Sequence, residues 1–95
     1  MLQVLDLHII DHSYFNIIQT NAFTITLQSK NTGHYWHILE QDYSTFKSYL
    51  IYHRHSANHS YHKHGHGKNL PQIINDIQAH DKFQLSGRKK SLSSY

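Results

Sequence analysis

Residues 23–39 read Phe23-Thr24-Ile25-Thr26-Leu27-Gln28-Ser29-Lys30-Asn31-Thr32-Gly33-His34-Tyr35-Trp36-His37-Ile38-Leu39, and they outline a β-hairpin. Phe23, Ile25 and Leu27 alternate with Thr24, Thr26 and Gln28, so one face is apolar and the other polar. The residue types suit a pleated sheet. Ser29 to Gly33 is a turn cluster, rich in residues that tolerate tight backbone geometry. His34 to Leu39 then reads as the return strand, with Trp36 expected in the core.

The same alternation extends in both directions. Gln3 to Ile10 alternates imperfectly and predicts a strand. Asp11-His12-Ser13 is a polar break, Tyr14 to Ile18 resumes a β-type run, and Thr20-Asn21 reads as a turn. After a polar connection over Gln41 to Ser44, Phe46 to His55 is again rich in aromatic and β-branched residues. Ser56-Ala57-Asn58 supplies a turn, and Ser60 to His66 is its expected partner strand.

The last element has another period. Leu70, Ile73, Ile74 and Ile77 fall at i, i+3, i+4 and i+7, which is one face of a helix. Asn69 can cap it, and Pro71 sits in a first turn whose amides lack partners anyway. His80-Asp81 is the expected end, with His80 interacting with the helix dipole and Phe83 and Leu85 folding back onto the core. The expected architecture is therefore α+β: an antiparallel sheet of five or six short strands with one C-terminal amphipathic helix packed on one face. It occupies residues 1–85, and residues 86–95 read as a basic, flexible tail.

Composition narrows the function classes. The chain has 95 residues, 38% of them hydrophobic, and no cysteine. That length suits one domain. Without cysteine there is no disulfide scaffold, thiolate metal site or cysteine nucleophile. No apolar run approaches the roughly 18–20 residues of a membrane span, and the start lacks the pattern of a signal peptide. A cytoplasmic protein without membrane contact is the expectation.

Charge is unevenly distributed. Residues 1–43 hold one base and four acids, whereas residues 44–95 hold eight bases and two acids; seven of the eleven histidines also lie in the second part. A basic surface favours polyanions: nucleic acid first, then an acidic protein or an anionic membrane. Between His53 and Lys68 stand six histidines, Arg54, Lys63 and Lys68, and no acid. Arg54, Lys63 and Lys68 supply permanent charge, Tyr52 and Tyr61 supply stacking faces, and Arg88, Lys89 and Lys90 can extend the footprint.

The histidines admit a second reading. If the strands around Ala57-Asn58 pair through a loop of two or four residues, His53 lies opposite His62 and Ile51 opposite His64. Opposed residues share a face, as do neighbours two apart. His53, His55, His62 and His64 would then cluster and could hold zinc or nickel, although no cofactor is required by the fold. Leu50, Tyr52, Arg54, Tyr61 and Lys63 would take the opposite face. A loop of odd length would scatter them. Protonation near pH 6.5 makes a pH-responsive domain part of this reading.

Catalysis is the weaker class. A metal-independent ribonuclease needs a base, an acid and a cation, and His12, His34, His37, His53, His62 and Lys30 are chemically eligible. Asp11-His12 followed by Asn31 and His34 or His37 is similar in order to His-Asn-His nucleases, but the intervening residues read as strands and not as that family's metal frame. No phosphate-cradling glycine loop or His-Glu-x-x-His is present. The frequent Asn, Ile, Tyr and Lys, with no cysteine, are similar in style to small proteins of low-GC bacteria and their phages. That likeness implies a phage or mobile-element accessory protein that binds a host protein. The leading expectation is a small non-enzymatic module that binds nucleic acid or another polyanion through its basic hairpin; the oligomeric state is left open.

Overall fold

The computed structural model describes residues 8–42 and 47–86. Among the described residues, five strands follow one another as β1 (Phe15–Thr20), β2 (Thr24–Ser29), β3 (Tyr35–Asp42), β4 (Lys47–Arg54) and β5 (His62–Gly67), and the C-terminal helix, α1 (Leu70–Leu85), comes after them. The strands form one open antiparallel sheet in sequence order. This is the expected α+β arrangement, a meander with a helix on one face.

Alternation in β2 to β4 creates two unlike faces. Ile25, Leu27, Trp36, Ile38, Tyr49 and Ile51 are buried beneath α1, whose Leu70, Ile73, Ile74 and Ile77 are also buried. Each such aliphatic or aromatic side chain contributes about 1.5–3 kcal/mol when removed from water. The tryptophan indole keeps its polar edge satisfied, because Trp36 Nε1 donates to the buried Ser29 Oγ at 3.2 Å. Among the described residues no helix lies on the other face, and Tyr35, His37, Tyr52 and Arg54 there are half-buried.

Two glycines shape the frame. Gly33 closes the β2–β3 turn at φ 77°, in the left-handed region where a side chain would strain the backbone. Gly67, at the end of β5, admits the helix, since a Cβ there would stand 2.5 Å from Ile73 Cγ1. Asn69 caps α1 as expected, accepting from the Gln72 amide at 2.9 Å.

Several expectations are corrected. His8 is helical, Ile9 lies in a turn and Ile10 is a buried bend, so the strand expected over Gln3–Ile10 is absent in this part; residues 1–7 lie outside the described residues. Phe23 belongs to the turn and is exposed, because Asn21 Oδ1 accepts from the Phe23 and Thr24 amides and delays β2 by one residue. Gln41 and Asp42 prolong β3 and are not a connection; Tyr43, Ser44 and Phe46 lie outside the described residues. The helix does not stop at His80-Asp81 but runs to Leu85, leaving Phe83 and Leu85 exposed and off the core. Asp81 is compatible with helix interior because its carboxylate is fully buried and used: Tyr14 Oη donates to Oδ2 at 2.8 Å and Thr32 Oγ1 to Oδ1 at 3.0 Å.

Candidate functional site

The β4–β5 hairpin carries most of the chain's histidines. His53 pairs with His62 and Tyr52 with Lys63, as a tight hairpin predicts. Beyond them the register shifts, and Ile51 meets Gly65 instead of His64. His64 is thus the extra residue of a bulge, a device that bends a strand and re-aims its side chains. The connecting segment is also longer than expected, because β4 ends at Arg54 and β5 begins at His62. His55 and Ser60, expected at the strand ends, consequently belong to that segment.

On the helix side, histidines gather around His53. This side chain is 2% exposed and stacks on Trp36 with ring centroids 4.1 Å apart. His55, His62 and His64 have centroids 4.9, 5.4 and 5.6 Å from it, so the expected quartet does meet at this ring. Two further histidines, His34 and His80, stand beside the same ring. His34 Nδ1 lies 3.1 Å from His53 Nε2, and His80 reaches in from α1 with its ring centroid 5.2 Å from that of His53. His34, His53 and His80 each offer one nitrogen, and these three atoms lie within 4.8 Å of one another.

Burial decides the protonation state of this group. His53 is pushed down to about 3 by loss of hydration, reinforced by the repulsion a second charge would meet from His34, His80, His55 and His64. His64 is also lowered, mainly by burial and by His62, with Asp76 opposing. The central imidazole is neutral at pH 7 and keeps a lone pair.

The opposite face carries different chemistry. The Arg54 guanidinium lies 4.6 Å from the Tyr35 ring centroid and 4.5 Å from that of Tyr61, a cation held between two aromatic rings. Its Nη1 donates to the Ala57 carbonyl at 3.3 Å, while its buried Nε and the buried Tyr61 hydroxyl have no hydrogen-bond partner. His37 lies beside Tyr52 and Tyr61, at 6.3 and 5.9 Å between centroids, and shares a 2.8 Å hydrogen bond with Thr26. Lys63 is exposed and pairs with Tyr52 in register. Among the described residues of this face there is no acid.

Of the residues expected to bind a polyanion, Tyr52, Arg54, Tyr61 and Lys63 are brought to one face. Lys68 is exposed beyond the end of β5, before α1. Arg88, Lys89 and Lys90 lie outside the described residues. The residues eligible for ribonuclease chemistry are divided instead: His34 and His53 lie on the helix side, His37 on the open face, and Lys30 Nζ donates to the His12 carbonyl at 2.7 Å. Sequence reasoning missed Tyr35 as the second ring on Arg54, although its position next to Trp36 in an alternating strand gave its face. It also missed His34 and His80 as neighbours of His53, because no local spacing links a turn, a strand and a helix.

No family model matches this chain, and neither a curated protein nor a solved structure resembles it at a significant level. Among the described residues, no helix is long and apolar enough to cross a membrane.

Proposed function

We propose that the protein is a small non-enzymatic binding module whose open sheet face contacts single-stranded nucleic acid. The observation that carries this reading is the assembly of Arg54, Lys63 and three tyrosines on a face with no acid among its described residues. A polyanion gains from that charge pattern, since each neutralised phosphate releases condensed counterions. An aromatic sheet face suits splayed single strands, whose bases stack on the rings.

The roles divide by position. Arg54 is pre-oriented by Tyr35 and Tyr61, which removes much of the entropy loss of fixing a long side chain. The rings of Tyr35 and Tyr61 hold the guanidinium, and Tyr52, beside His37, offers a further ring for bases. Lys63 supplies charge at the rim.

The test is to titrate a short single-stranded oligonucleotide into the isotope-labelled full chain and follow backbone amide shifts. The reading requires shifts in β3, β4 and β5 concentrated at Tyr35, Tyr52, Arg54 and Lys63. Unperturbed spectra, or shifts confined to α1, contradict it.

A further inference from the structure

We propose that His34, His53 and His80 form a binding site for one divalent late first-row transition metal ion, between the sheet and the last turns of α1. This site lies on the helix side and is independent of the open face. Its ligands come from three elements remote in sequence: the turn before β3, the strand β4, and α1. One nitrogen from each lies within 4.8 Å of the other two.

The separations suit a metal. Two imidazole nitrogens bound to tetrahedral zinc stand about 3.4 Å apart, given bonds of about 2.0–2.1 Å. His34 Nδ1 and His53 Nε2 are already 3.1 Å apart. The widest pair, within 4.8 Å, needs to close by up to about 1.4 Å, which rotation of the His80 and His34 rings can supply. The 3.1 Å contact between His53 and His34 is a hydrogen bond bridged by one proton, and a divalent cation taking the place of that proton engages all three nitrogens at once. Protons serve fewer of these nitrogens, because charged rings packed this closely repel.

The surroundings act as a support. Trp36 covers His53 on one face and meets the edge of His80 with centroids 5.3 Å apart. His55 stacks on His34 at 4.5 Å with the rings only 3° from parallel, which holds the His34 ring in its orientation. Metal sites work when their ligands are fixed in this way before binding.

The donor set selects the ion. Three imidazoles with no thiolate and no carboxylate suit zinc, nickel or copper; magnesium and calcium require oxygen ligands. Asp81, the acid next to His80, is occupied by Tyr14 and Thr32. Three protein ligands leave a fourth position on a tetrahedral ion for water or for a neighbour such as His64, whose ring centroid is 5.2 Å from that of His80.

The experiment uses the full chain freed of metal by a chelator, with zinc chloride titrated calorimetrically and cobalt(II) as an optical probe. The site predicts one equivalent bound per chain, visible ligand-field absorption from cobalt, and no response to magnesium. His34→Gln and His80→Gln should each weaken binding by roughly tenfold or more. His66→Gln, on the open face by its pairing with Leu50, should leave it unchanged. Equal weakening by His66→Gln identifies surface chelation along β5 and overturns the proposal, as does the absence of zinc binding. Should the His34 and His80 variants fail to fold, imidazole nitrogen spectroscopy of the unaltered chain decides. Zinc must then shift one ring nitrogen in each of His34, His53 and His80, and unmoved resonances there refute the site.

Discussion

Tyr14 donates its hydroxyl to Asp81 Oδ2 at 2.8 Å, joining the turn before β1 to α1 across 67 positions of sequence. Thr32 completes the carboxylate from the β2–β3 turn, and Asn31 Nδ2 donates to the Tyr14 hydroxyl at 3.1 Å. Burial, with the nearby carboxylate, pushes the Tyr14 phenol up to about 12, so it is a protonated donor at neutral pH. The helix is thereby tied to two turns at the end of the sheet where the histidines gather.

Asp81→Ala strands both hydroxyl donors in a part-buried setting. Hydrogen bonds to a charged acceptor contribute about 1.5–3 kcal/mol net, so a loss of that order is expected in urea unfolding. Tyr14→Phe should cost less. The double variant should cost less than the two single losses combined, because both act on one network. Strict additivity would show that the pair does not interact as described.

The helix extends beyond its expected end, and its two halves should respond differently. Ile77 is 2% exposed, whereas Leu85 is 57% exposed. Ile77→Ala should cost about 2–5 kcal/mol through lost burial and the cavity left behind. Leu85→Ala should stay within about 0.5 kcal/mol of the unaltered chain. Equal effects in thermal unfolding would contradict this docking of α1.

Gly67→Ala places a methyl group against Ile73 and should destabilise by about 1–3 kcal/mol through overpacking. Combining it with Ile73→Ala relieves the clash, so the second substitution should be less harmful in the Gly67→Ala background. Unfolding midpoints of the four chains give the coupling directly.

Acid should weaken the metal-free fold. His53 is held at about 3 in the folded chain, by burial and by the facing rings of His34, His80, His55 and His64, whereas its ordinary value is 6.5. Above about pH 6.5 the group is neutral folded and unfolded, and it adds no pH dependence. As pH falls from 6.5 towards 3, the unfolded chain binds a proton that the folded chain excludes, so stability drops; below about 3 this contribution is complete. His64 and His37, also lowered mainly by burial, act in the same direction. Urea midpoints that hold steady from pH 7 to 4.5 would contradict the buried neutral cluster.

The legible part of this fold was its local periodicity. Ile25 and Leu27, Trp36 and Ile38, and the Leu70–Ile77 stripe announce their buried faces because period and residue type agree. Pairing of His53 with His62 and the separation of Tyr52, Arg54 and Lys63 from it also followed from alternation. What alternation cannot reveal is a change of register. Gly65 in the interior of β5 was the available sign of irregularity, since glycine weakens a strand and often marks a bulge. Phe23 was misplaced because the Asn21 side chain competes with the sheet for backbone amides. Asp81 looked like a helix terminator because its partners Tyr14 and Thr32 are far away in sequence. The His34–His53–His80 group was hidden for the same reason: tertiary packing, and not spacing, brings these rings together.

The most direct test of the central claim is the salt dependence of single-strand binding, read by fluorescence anisotropy of a labelled oligonucleotide. For the unaltered chain the logarithm of affinity should fall linearly with the logarithm of salt, with a slope of about −0.7 per phosphate neutralised. Replacing both Arg54 and Lys63 by Ala should make that slope shallower by about 1.4 and weaken binding at every salt concentration. An unchanged slope in the double variant, or no binding by the unaltered chain at low salt, would contradict the assignment of the open face.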